Sequence, residues 1–257
     1  MRIGGLIFKT NALMKRICLI TIVVTLLSGW ATGQTKEEVI EKIWEAAGGR
    51  ETWKDSRFLT FVFAPQKDGR TVFKRSHLWD RQTGDYRFET ITASRETLLV
   101  LFNVNKLKGK SFVNGKPLSD SLNTIEVKKA YEYFINDSYW LIAPLKLEDP
   151  ELSVNLEDSE VVEGTTCEVL HIDIAKGINA GHQFWLYVDS NTGLIKRWKV
   201  LPAGKKEPGI YNWTSYKDLG GGLKLSTRKQ NINQNKAITF PVASVLISVE
   251  PAKFTKK

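Results

Sequence analysis

The sequence predicts a mainly β (α+β) domain: one strongly curved antiparallel sheet whose open face is covered by an N-terminal helix and a helical insert. Three observations carry this expectation. From Arg57 onward apolar residues recur with a period of two, in short runs separated by explicit turn chemistry. Before that point the period is helical. It turns helical again between Thr124 and Leu147. Regularly spaced short strands argue for an antiparallel sandwich or barrel, and a single curved sheet covered by helices buries both layers in one core.

Ahead of the domain, Lys15 and Arg16 precede an uncharged apolar run from Ile17 to Leu27. The run is too short to cross a bilayer, which takes roughly 20 apolar residues. It matches the core of a secretory signal peptide. Ala31 and Gly33 place small residues at the −3 and −1 positions of a cleavage before Gln34. Residues 1–33 are therefore expected to be removed on export, leaving residues 34–257 as a single domain. Cys18 opens the apolar run instead of following it, so a lipoprotein anchor is not expected; Met14 is an alternative start.

Charge and cysteine content exclude several classes. The net charge is +9, and four of the 37 basic residues (Arg2, Lys9, Lys15, Arg16) lie in residues 1–33 with no acid beside them. The remainder is only mildly basic, and its lysines are scattered, so a phosphate-tracking nucleic-acid surface is not expected. Weak attraction to anionic lipid is compatible with it. Cys167 is the one cysteine after residue 33 and forms no internal disulfide. It sits in an alternating run and is expected to be a buried, inert thiol.

The elements follow in order. Thr35 and Glu38 make a capping box, and Val39, Ile40, Ile43, Trp44 and Ala47 form the apolar stripe of the first helix. Gly48-Gly49 ends it, with Trp53 in a polar turn. Strands are expected over Phe58–Ala64 and over Arg70–Asp80, the latter with Phe73, Arg75, His77 and Trp79 on one face. Further strands follow at Tyr86–Thr90 and Leu98–Asn103, and Asn114-Gly115 turns a hairpin. Thr124–Ile135 reads as a helix broken by Asn136-Asp137, with Ser138 capping a short segment through Tyr139, Trp140, Leu141 and Ile142. Pro144 and Pro150 bracket a loop. The second half reads as strands over Leu152–Leu156, Glu160–Glu163, Thr166–Ile174, Gln183–Asp189, Leu194–Leu201, Gly209–Tyr216, Leu223–Gln230 and Ala237–Val249.

Catalytic signals are sparse. There is no G-x-S-x-G elbow, P-loop or dinucleotide fingerprint. His77, His171 and His182 lack helical metal-ligand spacing. Asp189-x-Asn191 stops at Gly193 without the closing Glu of a calcium loop and reads as a hairpin turn. No cofactor or metal is expected. Tryptophan is the unusual component: Trp44, Trp53, Trp79, Trp140, Trp185, Trp198 and Trp213 follow residue 33. Such rings fill a core, and they also line apolar ligand cavities.

The layout resembles the LolA/LolB-like, outer-membrane lipoprotein-sorting superfamily, and most closely the exported LolA-like proteins of Bacteroidetes-type bacteria. The resemblance is carried by the signal peptide and by Ala46-Ala47-Gly48-Gly49 before Trp53. Leu78-Trp79-Asp80 to Tyr86-Arg87-Phe88 and Asp137 to Leu141 before Pro144 add to it. So does Leu186 to Asp189 through Thr192-Gly193-Leu194 into Trp198. It implies an unclosed half-barrel of about eleven antiparallel strands with helices as a lid. It also implies a non-catalytic hollow that holds acyl chains by apolar burial, at roughly 0.8 kcal/mol per CH₂.

The leading expectation is thus a soluble periplasmic binding or carrier protein of a Gram-negative bacterium, monomeric, for lipid, lipoprotein acyl chains or another apolar ligand. Transient contact with a membrane or a lipoprotein would accompany it. Trp79, Phe88, Phe102, Tyr139, Trp140, Leu141, Trp185 and Trp198 are the expected cavity lining. Two alternatives stand beside it. A hydrolase-type enzyme needs two or more of the three histidines to converge with carboxylates in a cleft. A cell-envelope interaction module needs a filled core with no cavity.

Overall fold

The computed structural model describes residues 34–257, so the signal-peptide expectation lies outside the described residues. Helix α1 (Lys36–Ala46) begins at the expected capping box: Thr35 Oγ1 accepts from Glu38 N at 3.2 Å, and Thr35 N donates to Glu38 Oε2 at 2.8 Å. Its stripe of Val39, Ile40, Ile43, Trp44 and Ala47 is buried, each large side chain contributing about 1.5–3 kcal/mol. Trp53 lies in a second short helix, α2 (Arg50–Asp55), and not in a turn.

The chain then makes two antiparallel meanders. The first is β1 (Phe58–Lys67), β2 (Arg70–Thr71), β3 (Arg75–Asp80), β4 (Asp85–Ile91), β5 (Thr97–Asn103), β6 (Lys108–Val113) and β7 (Lys116–Pro117). The second is β8 (Leu152–Val162), β9 (Thr165–Ile174), β10 (Gln183–Asp189), β11 (Ile195–Leu201), β12 (Gly209–Asp218), β13 (Lys224–Asn231), β14 (Lys236–Thr239) and β15 (Ala243–Leu246). They meet at β1, which pairs with β3 on one side and with β14 and β15 on the other. The result is one curved sheet of fifteen strands, open at both edges: thirteen follow in the order β7-β6-β5-β4-β3-β1-β14-β13-β12-β11-β10-β9-β8, and β2 and β15 pair with β1 off this path.

Helix α3 (Asp120–Ile142) leaves β7 at one edge and, through a 3₁₀ turn at Ala143–Leu145, leads to β8 at the other. The helical insert thus crosses the sheet from edge to edge. Inward-facing registers lie beneath it, as in the row Leu59, Trp79, Tyr86, Phe102 and the row Phe61, His77, Phe88, Val100. A short C-terminal helix, α4 (Ala252–Thr255), packs outside this layer, with Phe254 stacked 6.4 Å from Phe58.

Four local expectations need correction. The Asn136-Asp137 break does not occur; α3 runs through it, because Asp137 is buried and bonded to side chains of β3. The single strand over Arg70–Asp80 is two, since Val72–Lys74 leave the ladder. Leu152–Leu156 and Glu160–Glu163 are one strand with a bulge between Glu157 and Glu160. Ala237–Val249 divides into β14 and β15 at Pro241, which has no N–H for the ladder.

Candidate functional site

The two flanks of α3 face different spaces. Tyr131, Phe134, Ile135, Ser138, Tyr139 and Ile142 recur at three- and four-residue intervals and share one flank. They wall a cavity of about 380 Å³, closed by Trp79 and Val104 on one side and by Leu152 and Ile174 on the other. Its rim is polar and balanced in charge: Lys146, Asp149, Glu151 and Lys176. Lys146 and Asp149 form an ion pair across one turn.

Glu126, Lys129 and Tyr133 occupy the opposite flank. They border an open groove of about 870 Å³ with Thr71–Arg75, Thr90–Ala93 and Leu98. Between the two spaces, Val127, Ala130 and Phe134 press onto Tyr86, Phe88, Val100 and Phe102 and fill the centre of the concave face.

One polar network crosses this apolar layer. Asp137 on α3 is fully buried. Arg75 holds it with two contacts, Nε to Oδ2 at 2.6 Å and a donor bond from Nη2 to Oδ1 at 2.7 Å. Asn136 Nδ2 donates to the same Oδ1 at 2.8 Å. His77 Nε2 lies 3.1 Å from Asp137 Oδ2, and its Nδ1 lies 2.8 Å from Tyr86 OH. Burial lowers the His77 pKa, only partly offset by the Asp137 bond, so the ring is neutral. The network then assigns one tautomer: Nε2–H donates to Asp137, and Nδ1 accepts from the Tyr86 hydroxyl. Burial, and then Asp137, push the Tyr86 phenol well above its usual range. The Arg75 guanidinium also lies over Phe63, Phe73 and Tyr133, at 5.0, 4.6 and 4.2 Å.

Lys229 on β13 is a fully buried lysine, and among the described residues it forms no ion pair. Its Nζ donates to Ser226 O at 2.6 Å and lies 4.3 Å from the Trp213 ring and 4.9 Å from Phe240. Burial pushes its pKa well below the ordinary lysine value.

The eight expected lining residues divide. Trp79 and Tyr139 line the cavity. Phe88 and Phe102 form the buried floor under α3. Leu141 and Trp198 lie in the main core, and Trp140 packs over Trp198 and Tyr211 at 4.8 and 5.0 Å. Trp185 turns to the other face of the sheet, stacked on His171 at 4.5 Å beside Val169 and Tyr187. Strand parity separates it from its neighbours Phe184 and Leu186, which point into the main core.

Sequence reasoning put Arg75 and His77 on one strand face but gave no role to Asp137 or Lys229. The mid-helix acid among apolar residues was the available signal for Asp137. His171 bonds Glu157 at 3.1 Å on the outer face, so it does not join His77 in the interior. Cys167 is buried, its thiol pKa raised first by burial. No group of metal-ligating side chains occurs among the described residues. Asp189 Oδ1 accepts from Asn191 N and Thr192 N at 2.9 and 3.1 Å, the bonding of a hairpin turn.

The structure is similar to those of several solved proteins. A LolA superfamily protein from Nitrosomonas europaea has 10% identity over 87% of this chain and 99% of its own, with a TM-score of 0.49. A DUF1329 family protein from Desulfovibrio piger has 13% identity over 84% and 96%, with a TM-score of 0.46. A putative outer membrane lipoprotein-sorting protein domain from Vibrio parahaemolyticus has 12% identity over 84% and 97%, with a TM-score of 0.44. No protein-family model matches the chain, and neither does any curated protein.

Proposed function

We propose that this chain is a non-catalytic binding or carrier protein of the periplasm for lipid, lipoprotein acyl chains or another apolar ligand, held in the cavity beside α3. The observation that carries the reading is the cavity itself. A sheet this curved leaves an open concave face, and one helix cannot fill it from edge to edge. What is left is about 380 Å³, within the roughly 300–1,000 Å³ range of small-ligand sites. Its walls are Trp79, Phe134, Tyr139, Ile142, Leu152 and Ile174, and its charges are confined to the rim. An acyl chain placed there gains roughly 0.8 kcal/mol per buried CH₂, and the rim leaves a polar head in water. The interior His77–Asp137 pair lacks the accessible cleft a hydrolytic centre needs, since both side chains are closed to solvent. Among the described residues no helix is long and apolar enough to cross a membrane.

Displacement of a fluorescent polyene fatty acid tests the reading. The purified protein is expected to take up the probe in a saturable way. Ile135→Trp, which fills the cavity from the helix flank, is expected to weaken uptake about tenfold, the equivalent of one or two methylene contacts. Uptake that ignores this substitution, or no uptake at all, contradicts the assignment.

A further inference from the structure

The open groove on the other flank of α3 differs in character from the cavity mouth. Val72, Phe73 and Ile91 stand 62%, 39% and 59% exposed along it, an unusual grouping of large apolar side chains in adjoining segments. The residues around them are basic. Lys67 opposes Arg70 in the β1–β2 register and Lys236 in the β1–β14 register, so three cations stand side by side across neighbouring strands. Like charges placed directly opposite destabilise a sheet unless something anionic meets them. Lys74 and Arg95 are exposed close by. Among the described residues none of these five cations is in an ion pair. Of the nearby acids, Glu126 is paired with Lys129 at 2.8 Å and Glu89 with Arg87 at 2.5 Å, which leaves Glu96 and Asp68 against the five cations.

We propose that this rim docks the protein on an anionic lipid bilayer. Val72, Phe73 and Ile91 enter the interface, and Lys67, Arg70, Lys74, Arg95 and Lys236 meet the headgroups. Apolar side chains ringed by cations are what a negatively charged membrane surface selects. The cavity mouth, with two cations balanced by two acids, lacks this character. The inference rests on the carrier reading for its purpose, because a rim beside the hollow would bring the lipid source to the ligand site.

Flotation of the purified protein with vesicles tests it. Binding is expected to phosphatidylcholine vesicles containing phosphatidylglycerol, to be weak on phosphatidylcholine alone, and to fall as salt is added. Lys74→Ala is expected to weaken binding about fivefold, the value of one cation near a charged surface. Val72→Asp with Phe73→Asp is expected to abolish it. Val161→Asp, at a position 71% exposed on β8, is the control and should leave it unchanged. Equal binding to both vesicle types, no binding to either, or equal loss from Val161→Asp overturns the proposal. Probe uptake measured on the same variants separates the two ideas: docking can fail while the cavity still loads, and then only this inference falls.

Discussion

Asp137 Oδ2 stands 3.1 Å from His77 Nε2 in a space closed to solvent, sixty residues apart in sequence. The contact joins the charged residue on the buried side of α3 to the inward face of β3. With Arg75 it pins the crossing helix at one point, between the cavity on one flank and the groove on the other. Every partner in the group depends on the others, so each removal leaves a buried polar atom exposed to an apolar wall.

Asp137→Asn keeps the size of the side chain and removes its charge. Arg75, its side chain 12% exposed among aromatic rings, then lacks a counter-charge, and stability is expected to fall by about 3 kcal/mol in denaturant unfolding. A loss below about 1 kcal/mol would mean that apolar contacts alone hold the helix.

The neutral His77 gives a pH dependence of known sign. Its folded pKa lies below the unfolded value of 6.5, so beneath that value the unfolded chain binds more protons than the folded one. The contribution is complete above about pH 6.5 and is lost as pH falls through the depressed folded pKa, with a slope of at most about 1.4 kcal/mol per pH unit. Thermal unfolding across this window should show the decline, and His77→Gln should flatten it.

Lys229 behaves in the same direction at higher pH. Its folded pKa lies well below 10.5, so between those two values the unfolded chain holds the extra proton and stability rises with pH. Lys229→Met removes the slope. It is also expected to stabilise the protein at neutral pH by about 1–3 kcal/mol, since an apolar side chain replaces a buried amine with a single acceptor. Denaturant midpoints of the two proteins at two pH values check both statements.

Gly193 closes the β10–β11 hairpin against α1 with φ near +69°, and a Cβ there would lie 2.3 Å from the Lys42 carbonyl oxygen. Gly193→Ala meets both the strained backbone and a helix carbonyl that cannot retreat. A loss of at least about 1–3 kcal/mol is expected, read as a lowered melting temperature.

Local chemistry made much of the fold legible. The Thr35–Glu38 box, the Asn114-Gly115 turn and the period-two runs are each decided by residues within a few positions of one another. The remainder depends on distant partners. Helix α3 survives Asn136-Asp137 because Arg75 and His77, more than fifty residues earlier, supply what the local sequence does not. Trp185 and Leu186 are adjacent and equally apolar, yet a strand sends them to opposite faces, and composition does not reveal which. Lys229 reads as a surface residue until the strands around it place Trp213 and Phe240 over its amine.

The most direct measurement is the intact mass of the natively folded protein, purified from its own cell envelope without detergent and sprayed under non-denaturing conditions. The account predicts adducts whose released masses are those of lipids or acylated molecules, diminished in Ile135→Trp. A single bare mass, unchanged after incubation with a lipid extract, would contradict it.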